Sequence, residues 1–228
     1  MYRAEDKYSC SNNELFLLQS RIDSILQADS NQYSPEGYSI ISLYFDDLYD
    51  THFQDAIDGN SIRRKYRIRI YNNSFDTIKL EVKFKQYNRV MKKSKTISYS
   101  DMCTLLDGNP IDCTNSPDDP ATLFNFAIKE SCLRPKVIVA YERKAYVFSS
   151  GNVRITFDRN IRSSNLIQKF GNPDLIYDFP DERNAILEVK YDEFLPGFIA
   201  QLLELGNMQQ ISYSKYRICR EVYTKENI

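Results

Sequence analysis

The sequence holds one histidine, His52, and seven glycines in 228 residues. A lone imidazole removes most zinc sites, which draw on several histidine and thiolate ligands. The glycines form neither G-x-G-x-x-G nor G-x-x-x-x-G-K-[ST], which argues against phosphate binding of the Rossmann or P-loop kind. The five cysteines (Cys10, Cys103, Cys113, Cys132 and Cys219) are odd in number and contain no C-x-x-C pair. Reduced thiols in a cytoplasmic protein are the expectation. No apolar run approaches the roughly 20 residues of a membrane-spanning helix, and the first ten residues lack an apolar signal core. No membrane segment is therefore expected. The hydrophobic fraction of 42% and charged fraction of 27% suit a folded chain with a proper core, expected as a single domain over 1–228.

Charge is present in abundance but unevenly placed. The formal net charge is −1, yet the stretch from Arg63 to Lys95 holds twelve lysines and arginines against Asp76 and Glu81. Acidic residues gather elsewhere, as between Asp178 and Glu182. A basic stretch in a nearly neutral chain points to a focused anionic partner.

Apolar residues at helical spacing predict an amphipathic helix over Asn12–Ala28, with Ser11 and Glu14 at capping-box spacing before it. β-forming runs predict strands at Tyr38–Asp46, Arg64–Tyr71, Thr77–Lys85, Val90–Tyr99, Lys136–Phe148, Val153–Arg159 and Ala185–Asp192. Short helices are expected within Asp47–Ile57, Ser100–Leu106, Thr122–Ser131, Pro196–Leu205 and Ser212–Tyr223. The connections are too short for parallel crossovers, so the order reads as antiparallel. Between Asn160 and Asp181 no clean alternation places a strand.

Strand parity separates the side chains into two faces. Tyr66, Ile68 and Ile70 oppose Lys65, Arg67 and Arg69. Ile78, Leu80, Val82 and Phe84 oppose Lys79, Glu81, Lys83 and Lys85. Val153, Ile155 and Phe157 oppose Arg154, Thr156 and Asp158, and Leu187 and Val189 oppose Glu188 and Lys190. A sheet with one wet face would show this pattern too. The polar face here is almost wholly ionic, however, and like charges on neighbouring strands repel unless anions compensate them. The expected solution is a closed barrel, its apolar face outward under helices and its charges inward around a polyanion.

The sequence resembles the VTC-type polyphosphate polymerase domains of the triphosphate tunnel metalloenzyme superfamily, relatives of the CYTH proteins. The resemblance rests on pieces in a fixed order. These are Arg3 to Tyr8 (RAEDKY), Ser42 to Asp46 (SLYFD), Arg67-Ile-Arg69, Leu80 to Lys83 (LEVK), Tyr141 to Tyr146 (YERKAY), Val153 to Asp158 (VRITFD), Ile186 to Tyr191 (ILEVKY), Leu195-Pro196 and Ser214-Lys215-Tyr216. It implies an α+β fold, an eight-stranded antiparallel β-barrel (tunnel) with surrounding helices. It also implies transfer of the ATP γ-phosphate to a polyphosphate chain with Mn²⁺ or Mg²⁺. By matching motif, Arg67, Arg69, Lys83, Arg143, Arg154, Lys190 and Lys215 would line the tunnel and act on the phosphates. Lys7 would join them in binding substrate, and Glu188 would hold the metal.

The residue types suit that chemistry. Phosphoryl transfer asks mainly for positioning and charge neutralisation, arginine forks match phosphate oxygens, and a hard divalent cation takes carboxylate and phosphate oxygens. Glu81 fits a metal ligand or an ion-pair partner, with the pair the expected role. His52 is expected on a surface helix outside the site, and Lys92, Lys93 and Lys95 are expected to form a solvated basic edge, of which one could line the tunnel. Two other functions remain open: a tri- or polyphosphate hydrolase of the same fold, in which the metal activates water, and a non-catalytic polyanion-binding module. Nucleic acid is not expected as partner, because neither an aromatic RNA-binding pattern nor a basic recognition helix is present. Any movement of product across a membrane would depend on partners beyond this chain.

Overall fold

The computed structural model describes residues 2–30, 32, 34–180 and 185–224. The end of the acidic run, Asp181 and Glu182, lies outside the described residues. In chain order come β1 (Arg3–Cys10), α1 (Asn12–Asp23), β2 (Gln27–Ala28), β3 (Tyr38–Asp46), α2 (Thr51–Ile57), β4 (Ile62–Tyr71), β5 (Ser74–Gln86) and β6 (Arg89–Ile97). They are followed by α3 (Tyr99–Leu106), α4 (Pro120–Ser131), β7 (Arg134–Phe148), β8 (Val153–Ser164), β9 (Ala185–Tyr191), α5 (Gly197–Leu202) and α6 (Lys215–Thr224). The capping box of α1 forms as expected: the Ser11 hydroxyl accepts from Glu14 N–H, and the Glu14 carboxylate accepts from Ser11 N–H.

The strands make one nine-stranded sheet in the order β2-β7-β3-β4-β5-β6-β1-β9-β8, antiparallel throughout, with β7 also paired to β8. The expectation of a closed eight-stranded barrel is corrected by this sheet. Its count is nine, because two residues of β2 add to the edge of β7. Its wall is also uneven. Strands β1 and β9 share seven residue pairs, whereas β1 and β6 share only Arg3 with Val90 and Ala4 with Arg89. The chain turns into β6 at Arg89, so the rest of β1 has no strand to meet on that side. The segment 209–211 takes up part of the bare edge, through Ser9 N–H to Gln209 O and Ile211 N–H to Lys7 O. The wall stays open beside it, and α6 fills part of the concave side.

Two further expectations change. Strand β1 is absent from the strands that patterning predicts, because Asp6 interrupts the face opposite Arg3, Glu5 and Lys7 (Ala4, Asp6 and Tyr8) and leaves no continuous apolar row. The irregular stretch after Arg159 begins as a continuation of β8 to Ser164. Asn160 adopts φ 52, and the ladder to β7 shifts register between Ala140 and Glu142. One residue in the left-handed region breaks a period-two pattern, and the strand disappears from the sequence.

Helices α3 and α4 cover the convex face of β3, β4 and β5, where Met102, Leu105 and Phe124 pack with Leu43, Ile68 and Leu80. Helices α1 and α5 cover β1, β8 and β9, where Leu18, Ile22 and Ile199 meet Ile155, Phe157 and Leu187. On the concave side, Tyr216 and Cys219 of α6 pack with Val137, Val139, Tyr141 and Ile186. Burying a side chain of that kind stabilises by about 1.5–3 kcal/mol.

A fully buried carboxylate fixes α6 in place. Asp46 accepts from the N–H groups of Asp47 (2.9 Å), His52 (2.9 Å) and Phe53 (2.8 Å), and from the Tyr216 hydroxyl. The Tyr216 ring stacks on Tyr44 with centroids 5.1 Å apart. Removing the carboxylate strands three backbone donors and a hydroxyl. We predict that Asp46→Ala lowers the unfolding free energy by about 3 kcal/mol and Tyr216→Phe by about 1 kcal/mol in urea melts; equal losses in the two variants would show that the backbone bonds to Asp46 contribute nothing.

Candidate functional site

The ionic faces of the strands meet in a cavity of about 340 Å³. Its walls carry eleven lysines and arginines, four tyrosines and only two glutamates, Glu5 and Glu188. All nine residues singled out from the sequence line it: Lys7, Arg67, Arg69, Lys83, Arg143, Arg154, Glu188, Lys190 and Lys215. Lys92 lines it as well, whereas Lys93 and Lys95 point the other way and pair with Asp118 and Asp119, each at 2.8 Å. His52 sits outside it, its ring 5.3 Å from that of Tyr66.

Six carboxylates pair with the cavity's cations: Asp29 takes Arg154 and Asp192 takes Arg3, each at 2.8 Å, and four others organise the rest. Glu81, within β5, takes Arg67 in two contacts of 2.7 and 2.6 Å and also pairs with Lys92. Asp158 of β8 accepts both arms of Arg143, at 2.6 and 2.7 Å, and Lys215 at 2.6 Å. Glu5 of β1 lies among Lys83 (2.7 Å), Lys7 (3.3 Å) and Lys190 (3.4 Å). Glu188 of β9 contacts Lys190, so this ammonium bridges the two glutamates. Tyrosines complete the frame: Tyr44 accepts from Arg67 at 2.9 Å, Tyr141 from Arg69 at 3.0 Å and Tyr38 from Arg154 at 3.1 Å.

Sequence reasoning assigns no role to Glu5, Lys65 or Asp158. A signal exists, since Glu5-x-Lys7 repeats the Glu-x-Lys spacing of Glu81 and Glu188, and Asp158 shares the parity of Arg154. Lys65 is the most informative of the three. Its ammonium donates to Ser214 Oγ at 2.7 Å, and among the described residues no carboxylate lies within ion-pairing distance of it. It also lines a second, outer hollow of about 440 Å³ at the open wall beside β1, together with Glu5, Lys7 and Lys83. The two hollows therefore meet at these four residues and Val90.

Burial and like charge govern the protonation states. Burial drives Lys65 well below the usual lysine range, and Lys7, Lys83 and Arg63 push it further. Burial also drives Lys83 down, against the pull of Glu5 and with the help of Lys7 and Lys190, to about 7. Burial would raise the Glu188 carboxyl, but Lys190, Lys7, Lys83 and Arg143 outweigh it and hold it well below the usual carboxylate range. Burial and Glu188 likewise oppose ionisation of Glu5, and Lys83, Lys7 and Lys190 overcome them. Both glutamates are anions at neutral pH. Among the described residues no group of three or more histidine, cysteine, aspartate or glutamate side chains could hold a metal ion, so a cation here would need oxygens from its substrate.

A family model for the VTC domain matches residues 2–224. The chain belongs to the VTC-domain family. Its place in the wider CYTH-like superfamily, a phosphotransferase-type fold, agrees with two solved structures. A candidate adenylate cyclase from Bacillus halodurans is similar with a TM-score of 0.58 at 12% identity, covering 93% of each chain. A candidate adenylate cyclase from Vibrio parahaemolyticus gives 0.53 at 11% identity, covering 96% of this chain and 97% of that one. At such identities these likenesses concern the fold. No curated protein matches the sequence. No helix among the described residues of this VTC domain is long and apolar enough to cross a membrane.

Pairing decides what each substitution does to the empty domain. Arg67→Ala leaves Glu81 buried with fewer partners and is expected to destabilise, whereas Lys65→Met removes a buried amine whose charged form is disfavoured and which has no carboxylate partner among the described residues. We predict that Lys65→Met stabilises the unliganded domain, on the order of 1 kcal/mol, and a lower thermal midpoint than wild type would refute that reading. Lys83 titrates below its unfolded value of about 10.4, so the unfolded chain binds more protons between pH 7 and 10. Unliganded stability should therefore rise from pH 7 to 9, by at most about 1.4 kcal/mol per pH unit for this group; flat urea midpoints across that window in wild type and Lys83→Met alike would contradict the assignment.

Proposed function

We propose that this VTC domain is an ATP-dependent polyphosphate polymerase working in the basic cavity. The observation that carries the reading is the surplus of inward-facing cations, with Lys65 lacking any carboxylate partner among the described residues. Two unit charges 4 Å apart at an effective dielectric of 20 repel by about 4 kcal/mol. Such a wall is strained when empty and relieved by a ligand that brings several negative charges in a row. Arginines 67, 69, 143 and 154 offer planar forks to phosphate oxygens, and Lys7, Lys83, Lys190 and Lys215 offer compact point charges.

In the reaction, a terminal oxygen of the acceptor chain attacks the γ-phosphorus of ATP. One phosphorus–oxygen bond forms, the bond from that phosphorus to the β-bridging oxygen breaks, and ADP leaves with the electron pair. The side chains align the two chains end to end and spread the charge that develops on the transferred group. Several cations are tied to Glu81 and Asp158, which keeps their forks aimed before substrate arrives.

The donor set also suits a hard divalent cation, Mn²⁺ or Mg²⁺. Glu188 and Glu5 are ionised, and the buried Thr156 hydroxyl, opposite Glu188 in the ladder, has no hydrogen-bond partner. Glu188, with Glu5 beside it, would hold the metal through carboxylate oxygens. When bound, the ion would neutralise charge on the phosphates it shares.

Incubation of the pure domain with ATP and Mn²⁺ should yield ADP and long polyphosphate chains. Orthophosphate as the sole product would reassign the site to hydrolysis. Glu188→Gln is expected to lower turnover at least a hundredfold while tripolyphosphate still raises the thermal midpoint, since the cations that bind it remain. Unchanged turnover in that variant would remove Glu188 from the metal role.

A further inference from the structure

A separate hollow of about 420 Å³ shares only Tyr38 with the basic cavity. It lies between the turn joining β4 and β5, the second half of β8 and the segment 172–177. The side chains there are arranged as donors. The guanidinium of Arg162 stacks 5.1 Å over the Tyr177 ring, and its Nε is shut off from solvent without a hydrogen-bond partner. Among the described residues it has no carboxylate partner either.

Two asparagines point the same way. Asn72 uses its side-chain oxygen to accept from Ser39 N–H at 2.9 Å, and Asn172 uses its own to accept from Asp174 N–H at 2.8 Å. An amide whose oxygen is committed presents its NH₂ group, and both residues line the hollow. Two glutamates, Glu36 and Glu142, line the hollow beside Arg159 and Arg162, so its formal charge balances and the available cationic donor is Arg162 alone. Glu142 is paired with Arg159 at 3.1 Å, and Glu36 is exposed to solvent, where its charge is screened.

We propose that this hollow is a second anion site, independent of the polymerase reading, that takes the phosphate or carboxylate head of a small organic molecule. Arg162 is the charge partner for that head, and the amides of Asn72 and Asn172 are its neutral donors. The volume far exceeds that of an oxyanion alone, and Ile41, Pro173 and the ring of Tyr177 supply apolar wall for an organic body. Stacking on Tyr177 holds the Arg162 fork in one plane, which favours two-point contact with a planar or tetrahedral oxyanion.

The test must separate this hollow from the basic cavity, which attracts every anion. The domain is first saturated with tripolyphosphate, and phenyl phosphate or, in a parallel arm, benzoate is then titrated while the thermal midpoint and the binding heat are followed. The wild type should show a further concentration-dependent rise with at least one of the two. A response to phenyl phosphate alone assigns a phosphomonoester, and a response to benzoate alone assigns a carboxylate. Arg162→Met and Tyr177→Leu should each weaken that second response at least tenfold, with the tripolyphosphate response retained. Arg162 makes no ion pair among the described residues, so the midpoint of unliganded Arg162→Met should stay within about 2 °C of wild type. A wild type that responds to neither probe, or an Arg162→Met variant that responds as the wild type does, overturns the proposal.

Discussion

Repulsion among cations turned inward is the constraint on which this structure depends. Eleven lysines and arginines share the walls of one cavity with two glutamates, and the acids placed behind and among them act mainly as spacers. Glu81 keeps Arg67 and Lys92 apart, Asp158 does so for Arg143 and Lys215, and Glu5 for Lys7, Lys83 and Lys190. Each of these three carboxylates gathers several cations, so the charge does not balance. The fold tolerates the remainder because its apolar faces are buried on the convex side under four helices. A wall built this way is prepared for a polyanion and ill suited to being empty.

The same arrangement explains why the acids are not simply stabilising. Burial opposes the charged form of Glu5, Glu81, Asp158 and Glu188, and only the surrounding cations keep them ionised. Taking both charges of a buried pair out of water offsets much of their mutual attraction, so the net contribution of such pairs to stability is small. Lys65, with no carboxylate to balance it among the described residues, shows the cost most directly. Its ammonium rests on a serine hydroxyl from the chain just before α6, so the empty site couples a strand of the sheet to the segment that closes it.

Helix α6 joins the core to the chemistry. Its apolar residues fill part of the concave side, and its first residue, Lys215, delivers a cation to Asp158. Asp46 anchors the next residue, Tyr216, from the far end of β3. Packing and site geometry therefore meet in consecutive residues, and disturbing one is expected to disturb the other.

Strand parity makes much of the site legible in the order of the amino acids. Charged and apolar residues that alternate along β4, β5, β8 and β9 can lie only on opposite faces, so the inward set follows from the sequence. The family resemblance extends this set to Lys7, Arg143 and Lys215. Local signals also place the capping box at Ser11 and the limits of β3. What the sequence could not determine was how the faces close. The two-pair overlap of β1 with β6, the extra edge strand β2 and the register shift opposite Asn160 depend on where each strand begins against its neighbour. Lys65 likewise carries the same charge as Arg67 and differs only in lacking an acid beside it. Partnership of that kind is set by register across strands, a long-range property that period-two patterning along one strand does not encode.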